Sequence, residues 1–85
     1  METRSEPIYE IKEHIGVINS INNREELWTK EINIVSWHGG KPKIDIRDWN
    51  ETHDRMSRGI TLTEEQAVQL TKILAMRYGD QIWTS

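Results

Sequence analysis

Only one stretch of this chain, residues 63–78, carries the period of an α-helix, and residues 8–62 read as strands and turns. Thr63-Glu64-Glu65-Gln66 is a capping box, in which the Thr63 hydroxyl accepts the Gln66 backbone N–H and the Gln66 side chain reaches back. Ala67, Leu70, Ile73, Leu74 and Tyr78 follow at helical spacing. Gly79 is placed to end the helix, leaving residues 80–85 as a short tail with Ile82 and Trp83. One helix covers one face of a sheet, so the other face must meet solvent, a partner or a ligand. Strands followed by one helix, without βαβ alternation, define an α+β layer arrangement. The expected fold is a curved antiparallel sheet of about four strands and one C-terminal helix, ββββα.

The strands are legible from alternation. In residues 8–21, Ile11, Ile15 and Val17 sit on odd positions and Ile18 on an even one, with Gly16 at the crossover. A glycine at a phase change suggests a bulge, so one long bent strand or two short ones are expected. Asn22-Asn23 marks a turn. Residues 27–37 are rich in β-formers. His38-Gly39-Gly40-Lys41-Pro42 is a hairpin connection whose two glycines can take positive φ. Residues 43–49 alternate, with Ile44 and Ile46 on an inner face and Lys43, Asp45, Arg47 and Trp49 on an outer one. Residues 50–57 read as an exposed polar loop, and residues 58–62 as a short fourth strand with Ile60 and Leu62 inward.

With 85 residues the chain is one domain at most, here residues 8–85 behind a loose tail at 1–7. It has no cysteine, so disulfides and thiolate metal sites are excluded. A partner subunit would supply the apolar burial that so short a chain lacks. The N-terminal residues lack the apolar core of a signal peptide, and no apolar run reaches the length of a membrane span. A cytoplasmic or nucleoid-associated protein without membrane attachment is expected. The net charge of −3 conceals an asymmetry: residues 30–58 hold six basic and five acidic side chains, so the excess of negative charge lies elsewhere.

The outer face of the third strand pairs cations with an aromatic ring. Such a face suits an unpaired nucleic-acid strand, because a base stacks on the ring and the cations hold phosphates. Every base has a π-face, so little sequence preference follows. A second arrangement fits the same residues: Trp49 folds under the 50–57 loop and Arg47 pairs with Asp45 or Asp48. Trp37, beside the Gly-Gly turn, is either a core aromatic or a loop-tip ring.

Lys43-Ile44-Asp45-Ile46-Arg47-Asp48-Trp49, a polar loop, and then Arg58-Gly59-Ile60-Thr61-Leu62-Thr63-Glu64-Glu65-Gln66 resemble the signature of the transcriptional positive coactivator four family. Trp28-Thr29-Lys30-Glu31-Ile32-Asn33-Ile34-Val35 also fits the family's preceding strand, so the resemblance covers residues 30–78. It implies a homodimer through antiparallel C-terminal helices, and curved sheets that bind single-stranded or unwound DNA. By position it implies strand-binding roles for Lys30, Trp37, Lys41, Arg47, Trp49 and Arg58; Lys43 joins them by its parity with Arg47. Residues 8–21 add strand-like sequence before the family core, as in stand-alone bacterial members. The serine-rich acidic tail of eukaryotic members is absent, and the 50–57 loop has one basic residue, Arg55.

Two other classes compete. An enzyme would rest on His14, His38 and His53 near carboxylates, but no spacing matches a metal motif and these residues fall in a strand, a turn and a loop. No catalytic residue, metal or cofactor is therefore expected. A protein-interaction module would use the Arg/Trp face or the Leu70, Ile73, Leu74 stripe, which otherwise forms a helix-on-sheet core. The function expected is non-enzymatic binding of single-stranded DNA, with RNA as a second ligand, in transcription regulation or DNA metabolism.

Overall fold

The computed structural model describes residues 8–22 and 25–83; the expected tail at 1–7 and Asn23 of the expected turn lie outside the described residues. Four strands, β1 (Tyr9–Asn22), β2 (Leu27–Trp37), β3 (Lys43–Asn50) and β4 (Ile60–Leu62), precede one helix, α1 (Glu64–Trp83). They form one antiparallel sheet in the order β1-β2-β3-β4. The ββββα expectation holds in element order and in strand direction.

β1 is a single strand of 14 residues with three register shifts against β2. The shift between His14 and Gly16 is the irregularity that Gly16 signals in the sequence. These shifts separate Ile15 from Ile11 and Val17, which alternation alone places together. Ile15 reaches the helix side of the sheet, whereas Ile11 and Val17 line the other side. Between β2 and β3, positive φ is taken by His38 and Gly39 rather than by the two glycines, and the Gly40 N–H donates to the Trp37 carbonyl at 2.8 Å. Two consecutive positive-φ residues give a turn whose twist matches the flanking strands.

β4 is shorter than expected, beginning at Ile60 rather than at residue 58. The Thr63 capping box forms as read: the Gln66 N–H donates to Thr63 Oγ1 at 3.1 Å, and the Thr63 N–H donates to Gln66 Oε1 at 2.9 Å. Gly79 does not end the helix. The chain departs from helical geometry at Tyr78 (φ −124°, ψ 16°) and resumes to Trp83, so residues 80–83 continue α1 as a kinked extension rather than a tail. α1 carries no basic residue in its last turn.

Burial is the main departure from expectation. The helix face, with Ile32, Ile44, Ile46 and Leu62, meets α1 only through its first turns, around Ala67, Leu70 and Thr71, and leaves a cavity of about 240 Å³ open there. Ile73 and Leu74 remain 52% and 45% exposed, so the Leu70–Ile73–Leu74 stripe is only partly a helix-on-sheet core. The best-buried side chains lie on the opposite face: Val35, Trp49, Asn33 and Asp45 are fully enclosed, and Glu31 nearly so.

Sheet curvature explains this inversion. Thr29 pairs with Trp49 and Tyr9 pairs with Trp37, so Trp49 and Tyr9 attach to positions eight residues apart along β2. That is roughly 26 Å of extended strand. Their ring centroids are nevertheless 5.2 Å apart. The sheet must therefore roll toward this face, and bulges in an edge strand promote such bending.

Candidate nucleic-acid interface

The concave face is built from alternate residues of three strands. β2 contributes Glu31, Asn33, Val35 and Trp37; β3 contributes Lys43, Asp45, Arg47 and Trp49; β1 contributes Tyr9, Ile11, His14 and Val17. Asp45 is the anchor. It accepts Arg47 Nε and Nη2 at 2.8 Å each, and Thr61 Oγ1 from β4 at 3.2 Å. Arg47 is thereby held with its guanidinium carbon over the Trp37 ring, 4.5 Å from the centroid. Cations over an indole face gain electrostatic attraction as well as contact. Arg47 Nη1 also reaches Met56 Sδ and the Ser57 carbonyl at 3.4 Å.

Gly59 allows this arrangement. A Cβ there would fall on the Arg47 Cβ and the Ile46 carbonyl, so the chain entering β4 passes directly over the arginine stem. The Arg-Gly-Ile-Thr segment singled out in the sequence thus has two structural uses, a close approach at Gly59 and a hydroxyl donor at Thr61.

The 50–57 loop is ordered by hydrogen bonds rather than simply exposed. Asn50 Nδ2 donates to Asp54 Oδ1 at 2.7 Å, and its Oδ1 accepts the Arg55 N–H at 3.0 Å. Ser57 N–H donates to the Asp48 carbonyl, and Asp48 N–H to Ser57 Oγ. The loop therefore folds back on the end of β3, carrying Met56 against Trp49 and the His53 ring to 5.5 Å from the indole. The Tyr9 hydroxyl donates to the His53 carbonyl and closes the roll.

Two expected positions are placed apart from the others. Trp49 is 0% exposed beneath Tyr9, His53 and Met56, so its indole is core and offers no stacking surface in this conformation. Lys30 lies on the other side of the sheet: it pairs in register with Asp48, and its ammonium is 2.9 Å from Asp48 Oδ1. Alternation along β2 dictates this, since Glu31 faces the concavity. Arg47 and Trp37 do meet on the concave face. Lys43 shares their parity, and Lys41, Lys43 and Arg58 are all exposed.

The sequence sets the histidines in three separate elements, yet two converge. His53 Nε2 is 3.0 Å from both Glu31 oxygens, and His14 Nδ1 is 2.7 Å from Asn33 Oδ1 and 3.5 Å from Glu31 Oε1. No sequence spacing signals this, because the roll brings residue 53 back over β2. Burial opposes ionisation of Glu31, but hydrogen bonds from Thr29, His53 and Asn33 and the charge of His53 outweigh it and hold the carboxyl below its usual range. Among the described residues, no group of three or more His, Cys, Asp or Glu side chains is arranged to hold a metal ion.

Residues 24–73 match the family model described as Transcriptional Coactivator p15 (PC4). The chain belongs to this family. An uncharacterized protein of Treponema pallidum (strain Nichols) is 33% identical over 66 residues, covering 78% of this chain and 74% of that protein. The PC4 family is one of nucleic-acid-binding coactivators rather than of enzymes. The matched segment spans all of β2, β3, β4 and the first half of α1, and so contains Arg47, Asp45, Trp37 and Gly59. β1 lies outside it, as the strand-like addition before the family core. No helix among the described residues is long and apolar enough to cross a membrane.

Proposed function

We propose that this protein is a non-enzymatic binder of single-stranded DNA, with RNA as a second ligand, and that residues 8–85 form one nucleic-acid-binding domain. The observation that carries this is the Arg47 guanidinium lying over the Trp37 ring within a concave sheet face that the helix leaves uncovered. In this reading the strand runs along the mouth of the concavity. Trp37 and the Arg47 plane offer stacking surface, and Lys41, Lys43 and Arg58 hold phosphates. Lys30 is omitted because it faces away, and Trp49 supports the floor from beneath. Membership of a nucleic-acid-binding coactivator family supports a role in transcription regulation or DNA metabolism.

The protein acts as a homodimer through α1. Val68, Ile73, Leu74, Met76 and Ile82 are exposed on the helix, beside the open aliphatic face of the sheet. Apolar surface of this extent on a small domain calls for cover, and a second copy supplies it symmetrically.

Titration of tryptophan fluorescence with oligo-dT and with blunt duplex tests the binding. A response to oligo-dT alone is expected; equal responses, or none, overturn it. Salt separates it from a protein-interaction role for the same Arg/Trp face. Strand binding weakens steeply with ionic strength through counterion release, whereas a hydrophobic interface does not.

A further inference from the structure

On the concave face, Ile11, His14 and Val17 of β1 face Glu31 and Asn33 of β2 and His53 of the loop across a cleft of about 350 Å³. Its floor is fully used by hydrogen bonds, and these fix the proton positions. Glu31 can only accept, so the Asn33 amide turns its Nδ2 to Glu31 Oε1 (3.1 Å) and its Oδ1 to His14. His14 Nδ1 must then carry a proton, and so must His53 Nε2, which faces the same carboxylate. In their neutral forms both imidazoles already donate inward with these nitrogens. A second proton on either ring therefore goes to the far nitrogen, breaks no inward hydrogen bond, and adds a full positive charge to the cleft. Both rings are partly open to solvent, His14 by 52% and His53 by 38%.

We propose that this cleft is a proton-gated phosphate subsite of the strand-binding face, occupied when His14 and His53 are charged and repelled when they are not. The inference rests on the strand-binding role of the concave face. With neutral imidazoles the cleft presents the Glu31 carboxylate alone, which disfavours a phosphodiester. With both rings charged its balance is +1. The remaining charged groups facing Glu31 leave this balance intact: from β3, Arg47 stands opposite Glu31 but is neutralised by Asp45, and the Tyr9 hydroxyl is engaged by the His53 carbonyl. Histidine is the side chain whose unperturbed charge change falls between about pH 5 and 8, which sets the range to test.

The test is oligo-dT binding at fixed ionic strength at pH 8.0 and pH 5.5, since thymine itself does not titrate there. Roughly three- to tenfold tighter binding is expected at pH 5.5, with a salt slope steeper by about 0.7 for each additional phosphate engaged. The double substitution His14→Gln with His53→Gln should abolish the pH ratio. His14→Gln alone, which keeps a donor for Asn33 and so protects the fold, should reduce it. His38→Gln, at the β2–β3 turn, should keep it. Equal affinity at the two pH values, or a ratio that survives the double substitution, overturns the subsite while leaving strand binding in place. No binding at either pH overturns both.

Discussion

Arg47 and Asp45, two residues apart on one face of β3, form a two-pronged ion pair at 2.8 Å on each prong, with the Asp45 side chain fully enclosed and the Arg47 side chain 13% exposed. The planar fork of arginine matches a carboxylate in this way and lysine does not. The pair holds the guanidinium over Trp37 and ties β3 to β4 through Thr61. A charge removed from such a pair leaves its partner enclosed and uncompensated.

Asp45→Ala is therefore expected to destabilise the fold by about 3–5 kcal/mol, as breaking a buried pair does. Arg47→Lys should also weaken it, because one ammonium cannot fill both prongs and stack on the indole. Urea denaturation of the two variants checks this, and wild-type midpoints in both would refute the anchoring role of Asp45.

Gly59→Ala places a methyl group where the Arg47 stem and the Ile46 carbonyl already lie, and backbone cannot yield as a flexible side chain would. A loss of about 1–3 kcal/mol is expected from overpacking. Gly16→Ala provides the contrast, since a Cβ there meets nothing within 4 Å. Thermal melts of both should separate them clearly.

Element order, the parity of β3, the place of the β2–β3 turn, the capping box and the Asp45–Arg47 pairing are all legible from period and residue type. Local rules act within a few residues, and these features are local. The sidedness of burial is only half legible. Lys43, Asp45, Arg47 and Trp49 alternate with isoleucines, which fits both a solvated face and a Trp49 folded under the 50–57 loop with Arg47 paired to Asp45; the second is what forms, and the roll of the sheet encloses Asp45 and Trp49 and leaves Ile60 half exposed. That roll depends on three register shifts in β1, of which only the one at Gly16 has a sequence mark. The meeting of His14 and His53 at Glu31 depends on the same curvature. α1 runs past Gly79 only across the kink at Tyr78, and a glycine's cost of about 1 kcal/mol does not always end a helix.

Trp49→Ala is expected to lose about 3–5 kcal/mol, the range for deleting a large enclosed aromatic. The indole packs against Tyr9 and His53, so the loss should also loosen the loop and expose the end of β1. Trp37→Ala, at a partly exposed position, should cost less stability and more affinity for oligo-dT. Paired measurements of melting temperature and binding on the two variants decide it; the reverse order would return Trp49 to the stacking role.

Acid should unfold the domain through carboxylates held below their usual range. For Glu26, burial is outweighed by hydrogen bonds from Arg55, Asn50 and Trp28; for Glu31, it is outweighed by those from Thr29, His53 and Asn33; for Asp54, hydrogen bonds from Thr52 and Asn50 lead. A depressed folded-state value means stability is present above the unfolded values, about 3.9 for Asp and 4.3 for Glu, and is lost as pH falls through the folded ones. Melting temperature should thus drop steeply below about pH 4. Glu31→Gln should flatten part of that drop; an unchanged acid limb would show that Glu31 does not contribute to it.

The proposed dimer has the sharpest single-residue test at Ile73. This residue and Leu74 lie beyond the part of α1 that touches its own sheet, so a charge at 73 has little to disturb within one chain. In a helix-to-helix interface the same charge would be enclosed without a partner, and an unpaired buried charge costs several kcal/mol. Ile73→Glu should therefore give a monomer by sedimentation while keeping its far-ultraviolet circular dichroism. The unmodified protein should show a melting temperature that rises with concentration, and the variant should lose that dependence. An Ile73→Glu protein that sediments as the parent does would place the interface elsewhere, and the exposed aliphatic face of β3 and β4 would be the next surface to probe.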